Sequence, residues 1–255
     1  MVRVHRFDFI ADAERRVLAC RKCPGLNRHR TWAAPMWGGR GARILFVGQS
    51  MHGFFLFTPK GKPDLQVPFL SPSGKPMSAV FKALGWPEIA AGRAPAGCPY
   101  AITNLVHCHP PDTRTGDVKE RPEEIGNCGE HIEREILALR ELSAVIAVGS
   151  RARDALSIRY GRGKVPKKGV SFTRIRVSGK DLWFGHMLHP AAALRNGEEA
   201  VARWRALAYL QITRMMKFVE TYPGGRHLPV SVAPERRVPG GRIPAGATAC
   251  RLTAH

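Results

Sequence analysis

The sequence predicts a single α/β domain, three-layered (α/β/α), built on a central, mainly parallel four-stranded sheet. Three observations carry that prediction. The 255 residues are 44% hydrophobic, enough for one sizeable core but not comfortably for two. Short apolar runs bounded by glycine recur along the chain, as strands buried on both faces require. Segments with helical spacing separate those runs, and such alternation implies βαβ units in a parallel sheet.

Taken in order, residues 12–26 read as a helix running into the turn Cys20-Arg21-Lys22-Cys23. Residues 43–48 (RILFVG) form the first buried strand. Residues 49–74 are irregular and rich in Gly, Pro and Phe; so long a loop inside a compact domain is usually functional or disordered. Residues 76–86 have helical spacing with a proline near their start. Residues 100–106 (YAITNLV) are the second strand. Residues 122–142 follow as a helix, with Pro122 at its opening and Glu123 and Glu124 in its first turn, where the helix dipole favours acids. Residues 144–149 (AVIAVG) are the third strand, with a helix directly behind from Arg151. Residues 171–177 and 182–187 are two more strand candidates, and 198–219 is the last long helix. Beyond Thr221 glycine and proline recur without a period, so residues 1–220 are read as the domain and 221–255 as a Pro/Gly/Arg-rich tail.

In open parallel sheets the ligand lies beyond the carboxyl ends of the strands. That rule directs attention to residues 49–53, 104–111, 149–151 and 189–195. The composition suggests what the ligand is. Lys and Arg total 40 against 20 Asp and Glu, a formal charge of +20. Such an excess costs self-repulsion and usually answers a polyanion. Nucleic acid is the first candidate, because each phosphate neutralised releases a counterion; an anionic membrane surface and a genome that favours arginine are the rivals. No run reaches the ~18 apolar residues of a spanning helix, and residues 1–12 lack the apolar core of a secretory signal. A cytoplasmic monomer with reduced thiols is expected. Six cysteines there read as metal ligands, core residues or catalysts rather than disulfides.

Cys20 and Cys23 make a Cys-x-x-Cys pair, and Cys108 and Cys128 make a wider second pair. A soft metal needs about four thiolates, and a two-residue gap lets neighbouring cysteines grip one corner of it. The residues alone leave three readings open: an iron–sulfur cluster, a structural zinc, or a chance pair with two buried thiols. Cys98 and Cys250 have no partner in this scheme.

Five landmarks, in order, carry a family resemblance between about Cys20 and Trp204. They are Cys20-x-x-Cys23; Thr103-Asn104-Leu105-Val106-His107-Cys108-His109-Pro110-Pro111; Pro122-Glu123-Glu124-Ile125-Gly126-Asn127-Cys128; Val148-Gly149-Ser150; and His189-Pro190-Ala191-Ala192-Ala193-Leu194-Arg195. With them the chain resembles the uracil-DNA glycosylase superfamily, most closely its iron–sulfur branch, family 4 and its neighbours. The resemblance implies a 4Fe-4S cluster on Cys20, Cys23, Cys108 and Cys128, with zinc the less favoured alternative. It implies DNA containing uracil, single- or double-stranded, as the partner. The implied reaction is hydrolysis of the bond between base and sugar.

That reaction leaves a base anion and a sugar with oxocarbenium character, and the base must first leave the stack at a cost of roughly a few kcal/mol. By resemblance, His189 donates a hydrogen bond to the uracil oxygen that gains charge. Asn104 reads the flipped base, since an amide offers both a donor and an acceptor. Phe69 stacks beneath it, worth ~1–3 kcal/mol. Leu194 and Arg195 enter the minor groove as an apolar wedge with a cation beside it. A histidine satisfied at a strand end, an asparagine stitching loops, a core phenylalanine and a first helical turn are the corresponding structural alternatives. The basic run of residues 159–168 either tracks phosphates or is a solvated loop.

The first motif departs from the family, which carries a carboxylate after the glycine and then a Pro-Gly. Here Gly48-Gln49-Ser50-Met51-His52-Gly53 has neither carboxylate nor proline. Gln49 is therefore expected to position water by its side chain or backbone, with His52 as helper or phosphate ligand and Gly48 and Ser50 lining the base site. Some superfamily members carry an amide at this place. No lysine is clearly placed for a Schiff base, so a monofunctional glycosylase is expected, with deaminated bases beyond uracil left open. A weak or inactive relative that only binds lesions or single strands is the alternative, and a zinc-stabilised nucleic-acid-binding module the third.

Overall fold

The computed structural model describes residues 9–27, 33–50, 68–69, 74–90, 92–108, 120–161 and 172–222. Expectations for His52 and residues 223–255 lie outside the described residues.

Among the described residues the chain runs α1 (Phe9–Ala19), α2 (Pro24–Asn27), β1 (Trp37–Gly38), β2 (Ile44–Ser50), α3 (Lys75–Ala83), β3 (Tyr100–Val106), α4 (Pro122–Ala138), β4 (Ala144–Val148), α5 (Ser150–Tyr160), β5 (Thr173–Val177), β6 (Lys180–Met187), α6 (Pro190–Leu194) and α7 (Gly197–Thr221). One sheet has the order β1-β3-β2-β4-β6-β5. Its inner four strands are parallel, in the predicted architecture. The sheet is wider than the four strands expected, because an antiparallel strand closes each edge. β1 pairs with β3, and β5 folds back on β6 through the turn at Ser178 and Gly179, both at positive φ. A two-residue strand such as β1 is too short to show a period in sequence.

The continuous apolar runs are explained by coverage on both faces. On β2, Ile44 and Phe46 pack with Met77, Val80 and Phe81 of α3 and with Trp204, Ile212 and Met215 of α7. Leu45 and Val47 pack with Ile132 and Ile136 of α4 and Leu156 of α5. Each such buried side chain contributes about 1.5–3 kcal/mol. The helices differ from expectation mainly at their ends. α1 stops at Ala19, ahead of the expected Cys20–Cys23 turn, and Pro24–Asn27 follows as a separate short helix. α4 ends at Ala138, ahead of the turn in which Leu142 hydrogen-bonds back to Leu139. Pro122 sits in the first turn of α4, and Glu124 caps the Arg121 N–H at 3.0 Å.

Candidate active site

The carboxyl ends of β2, β3 and β6 converge on one place. Gly48 of β2 sits beside Asn104 of β3 in parallel register. A Cβ at Gly48 would stand 2.5 Å from Asn104 Oδ1 and 2.5 Å from Phe69 Cζ, so the absence of a side chain lets the amide and the ring approach the strand. Phe69 is itself at φ 63°, a conformation that is uncommon for a bulky residue and clusters at functional sites. A Cβ on Gly74 would overlap the Phe69 carbonyl, so glycine there admits the turn. The ring centroid of His189 lies 6.1 Å from that of Phe69. Gly48, Phe69, Asn104 and His189 are thus brought together.

Asn104 is 2% exposed, and its Nδ2 has no hydrogen-bond partner among the described residues. A buried donor left unmade costs about 1–3 kcal/mol. Buried polar groups are nearly always satisfied, and an exception of this kind calls for a ligand or water.

His189 caps α6, and its Nδ1 accepts from the Ala191 N–H at 3.2 Å. A neutral imidazole that accepts at Nδ1 carries its proton at Nε2, so the cap fixes the ring as a donor at its far end. The segment is held from behind. Trp204 Nε1 of α7 donates to the Leu188 carbonyl at 2.9 Å, and the Gly149 N–H donates to the Met187 carbonyl at 2.8 Å. Gly149, at φ 95°, also keeps clear of His189, whose Cβ would lie 3.2 Å from any Cβ placed there. Leu188, Leu194 and Arg195, on the same segment, face solvent. Leu194 is therefore both the end of α6 and an exposed apolar side chain.

Gln49 and Ser50, half-buried at the end of β2, meet a carboxylate absent from the sequence reading. Glu120, its side chain 1% exposed, accepts from Gln49 Nε2 at 2.9 and 2.8 Å. Ser50 Oγ donates to the same carboxylate, and Arg151 Nη1, at the start of α5, donates at 3.2 Å. The strand-end rule marked residues 149–151 and so contained Arg151. Glu120 follows no strand, and only the adjacent acid-rich start of α4 marks its neighbourhood.

The four cysteines also gather. Cys23, Cys108 and Cys128 share one small buried cluster. The Cys108 thiol is pushed up to about 12, by burial first and then by the charge of Cys128, Cys20 and Cys23. Burial likewise raises Cys23, against a hydrogen bond from Asn127. Asn127 Nδ2 reaches Cys23 Sγ at 3.5 Å, and Lys22 pairs with Glu130, so α4 fastens the Cys-x-x-Cys turn. The raised thiols of Cys23 and Cys108, gathered with Cys20 and Cys128, suit a cationic centre, which reverses that cost. No three such side chains among the described residues close on a single metal-ion geometry. Cys98 is a core residue, and Cys250 lies outside the described residues.

Behind Cys108 a second polar group is buried. Glu135 accepts from Thr103 Oγ1 at 2.8 Å and lies 2.9 Å from His107 Nε2. Burial disfavours the charged His107 ring, but Glu135 and Cys128 outweigh it and raise the imidazole above its usual range. The Met36 N–H donates to the same Glu135 at 3.0 Å. Arg159, at the head of the basic run, is used within the fold: it pairs with Glu133 at 2.9 Å and lies over Gly129 of α4. Residues 162–168 of that run lie outside the described residues.

A family model described as the uracil DNA glycosylase superfamily matches residues 35–211. A type-4 uracil-DNA glycosylase of Archaeoglobus fulgidus is 28% identical over 194 residues, covering 72% of this chain and 82% of that protein. One from Sulfurisphaera tokodaii is 27% identical over 86% of this chain and 93% of its own length. A third, from Saccharolobus solfataricus, is 29% identical over 74% and 77%.

Proposed function

The chain belongs to the uracil-DNA glycosylase superfamily, and we propose that it is a monofunctional DNA glycosylase that hydrolyses the N-glycosidic bond of uracil in DNA, acting in base-excision repair. The names of its type-4 relatives support uracil as the base. The observation that carries the reading is the unpartnered Nδ2 of buried Asn104, on an amide whose Oδ1 lies against Gly48 beside the Phe69 ring.

In this reading a flipped uracil stacks on Phe69, and its edge meets the Asn104 amide. The uracil carbonyl supplies the acceptor that Nδ2 lacks, and the amide oxygen accepts from the ring N–H. His189, held as an Nε2 donor, meets the oxygen on which charge accumulates as the bond breaks. A donor placed for the developing anion, rather than for the ground state, contributes ~10²–10³ in rate. Gln49 aligns the attacking water, and Gly48 and Ser50 line the floor. Leu194 fills the gap left by the base, with Arg195 on the adjacent phosphates. Cys20, Cys23, Cys108 and Cys128 hold a 4Fe-4S cluster, whose contribution is to cross-link the N-terminal turn, the end of β3 and α4. The charge of +20 supplies phosphate affinity, so binding weakens steeply with salt.

The test is incubation with end-labelled oligonucleotides, single- and double-stranded, each holding one uracil, followed by gels with and without alkali. Cleavage at the uracil that requires alkali is expected. Cleavage without alkali would contradict a monofunctional enzyme, and binding without any cleavage would contradict the activity.

A further inference from the structure

Three side-chain donors surround one buried carboxylate at the edge of the site, and we infer that Glu120 is a positioning residue for the hydrolysis, acting through Gln49 to present that amide's oxygen to the attacking water. The inference rests on the glycosylase reading. Glu120 Oε1 and Oε2 both lie within hydrogen-bond distance of Gln49 Nε2. An ionised carboxylate only accepts, so it selects the amide rotamer whose nitrogen faces it and whose oxygen points the other way. Left alone, a glutamine amide has two nearly equivalent settings, one offering a donor to water and one an acceptor. Only the acceptor setting draws a proton of the water away from the sugar and directs a lone pair towards it. Ser50 and Arg151 complete the carboxylate's shell, and Arg151 offsets its charge. A carboxylate whose side chain is 1% exposed and already holds three neighbours is placed to orient Gln49 rather than to meet substrate itself. The β2 segment thus lacks a carboxylate of its own, and one arrives from the residue ahead of Arg121 and α4.

The test is single-turnover excision of uracil by Glu120→Gln, Gln49→Ala, the double variant Gln49→Ala/Glu120→Gln, and the exchange Gln49→Glu/Glu120→Gln. Losing a hydrogen bond to a charged group predicts a roughly tenfold to hundredfold slower step in Glu120→Gln. Affinity for a duplex carrying an abasic-site analogue should be unchanged. In the Gln49→Ala background the same substitution should cost no more than roughly twofold, because the residue through which it acts is gone. The exchange variant, which puts acceptor oxygens back at position 49 and a donor at 120, should recover most of the rate. A Glu120→Gln rate equal to wild type, or an equal loss in both backgrounds, would overturn the inference. Should Glu120→Gln fail to fold, the exchange variant decides: recovery supports the role, and a folded but slow exchange variant overturns it. A wild-type chain that excises no uracil would sink the functional reading itself, an outcome distinct from any change confined to the variants.

Discussion

Asn104 and His189 show how much a single position can hold. Both were legible as candidates from the segments around them, but not the states in which they are held. The Nδ1 cap on His189 and the orphan donor on Asn104 depend on backbone placed by α6 and β3. An unmade buried hydrogen bond is a stability cost accepted at a site that a ligand completes. Asn104→Ala should therefore abolish most uracil excision while leaving the melting temperature equal or higher, since about 1–3 kcal/mol of unpaired donor is removed. Calorimetry alongside the excision assay checks both halves. A large fall in melting temperature would mean that Asn104 is a structural residue with a partner. Glu120 was not legible at all: its contacts with Gln49 and Ser50 span 71 and 70 residues, and no local pattern encodes a pairing at that distance.

At the scale of elements, the parallel strands were readable because burial on both faces forces uninterrupted apolar runs, as in Ile44–Val47 and Ala144–Val148. Of the edge strands, β5 falls within the strand candidate 171–177, whereas β1 was not read at all. β5 alternates buried and exposed residues over only five positions, and β1 has only two. The Cys20–Cys23 turn read from the sequence lies between α1, which ends at Ala19, and α2, which starts at Pro24. The register of β2 against β3 sets Gly48 beside Asn104 at the proposed base site. Gly48→Ala tests that register. Its methyl carbon would stand 2.5 Å from both Asn104 Oδ1 and Phe69 Cζ, so the ring or the amide must move out of the base site. Excision should fall by at least ~10²-fold, since misplacement of about 1 Å at a reacting centre costs that much, with circular dichroism unchanged. Near-wild-type excision would show that the base does not lie between these two side chains.

Across the whole molecule, one face of the sheet is closed by α3, α6 and α7, and the other by α4 and α5. The cysteine cluster joins the turn after α1 to α4 and the end of β3. Cysteine spacing alone left iron–sulfur, zinc and chance open; the ordered landmarks, and not the spacing, imply the iron–sulfur cluster proposed above. Cys128→Ala should cost the purified protein its broad visible absorption and lower its melting temperature, while substitution of Cys98 should leave the absorption intact. Visible absorption that survives Cys128→Ala would remove that residue from the ligand set. Excision of uracil at these strand ends, with His189 as the donor, is the activity proposed for this chain. It is tested most directly by measuring free uracil released in a single turnover from a duplex with one uracil, for wild type and His189→Ala. Release by the wild-type chain and a loss of roughly 10²–10³-fold in the variant, with duplex binding retained, are expected. Equal release by both, or none by the wild-type chain, would contradict it.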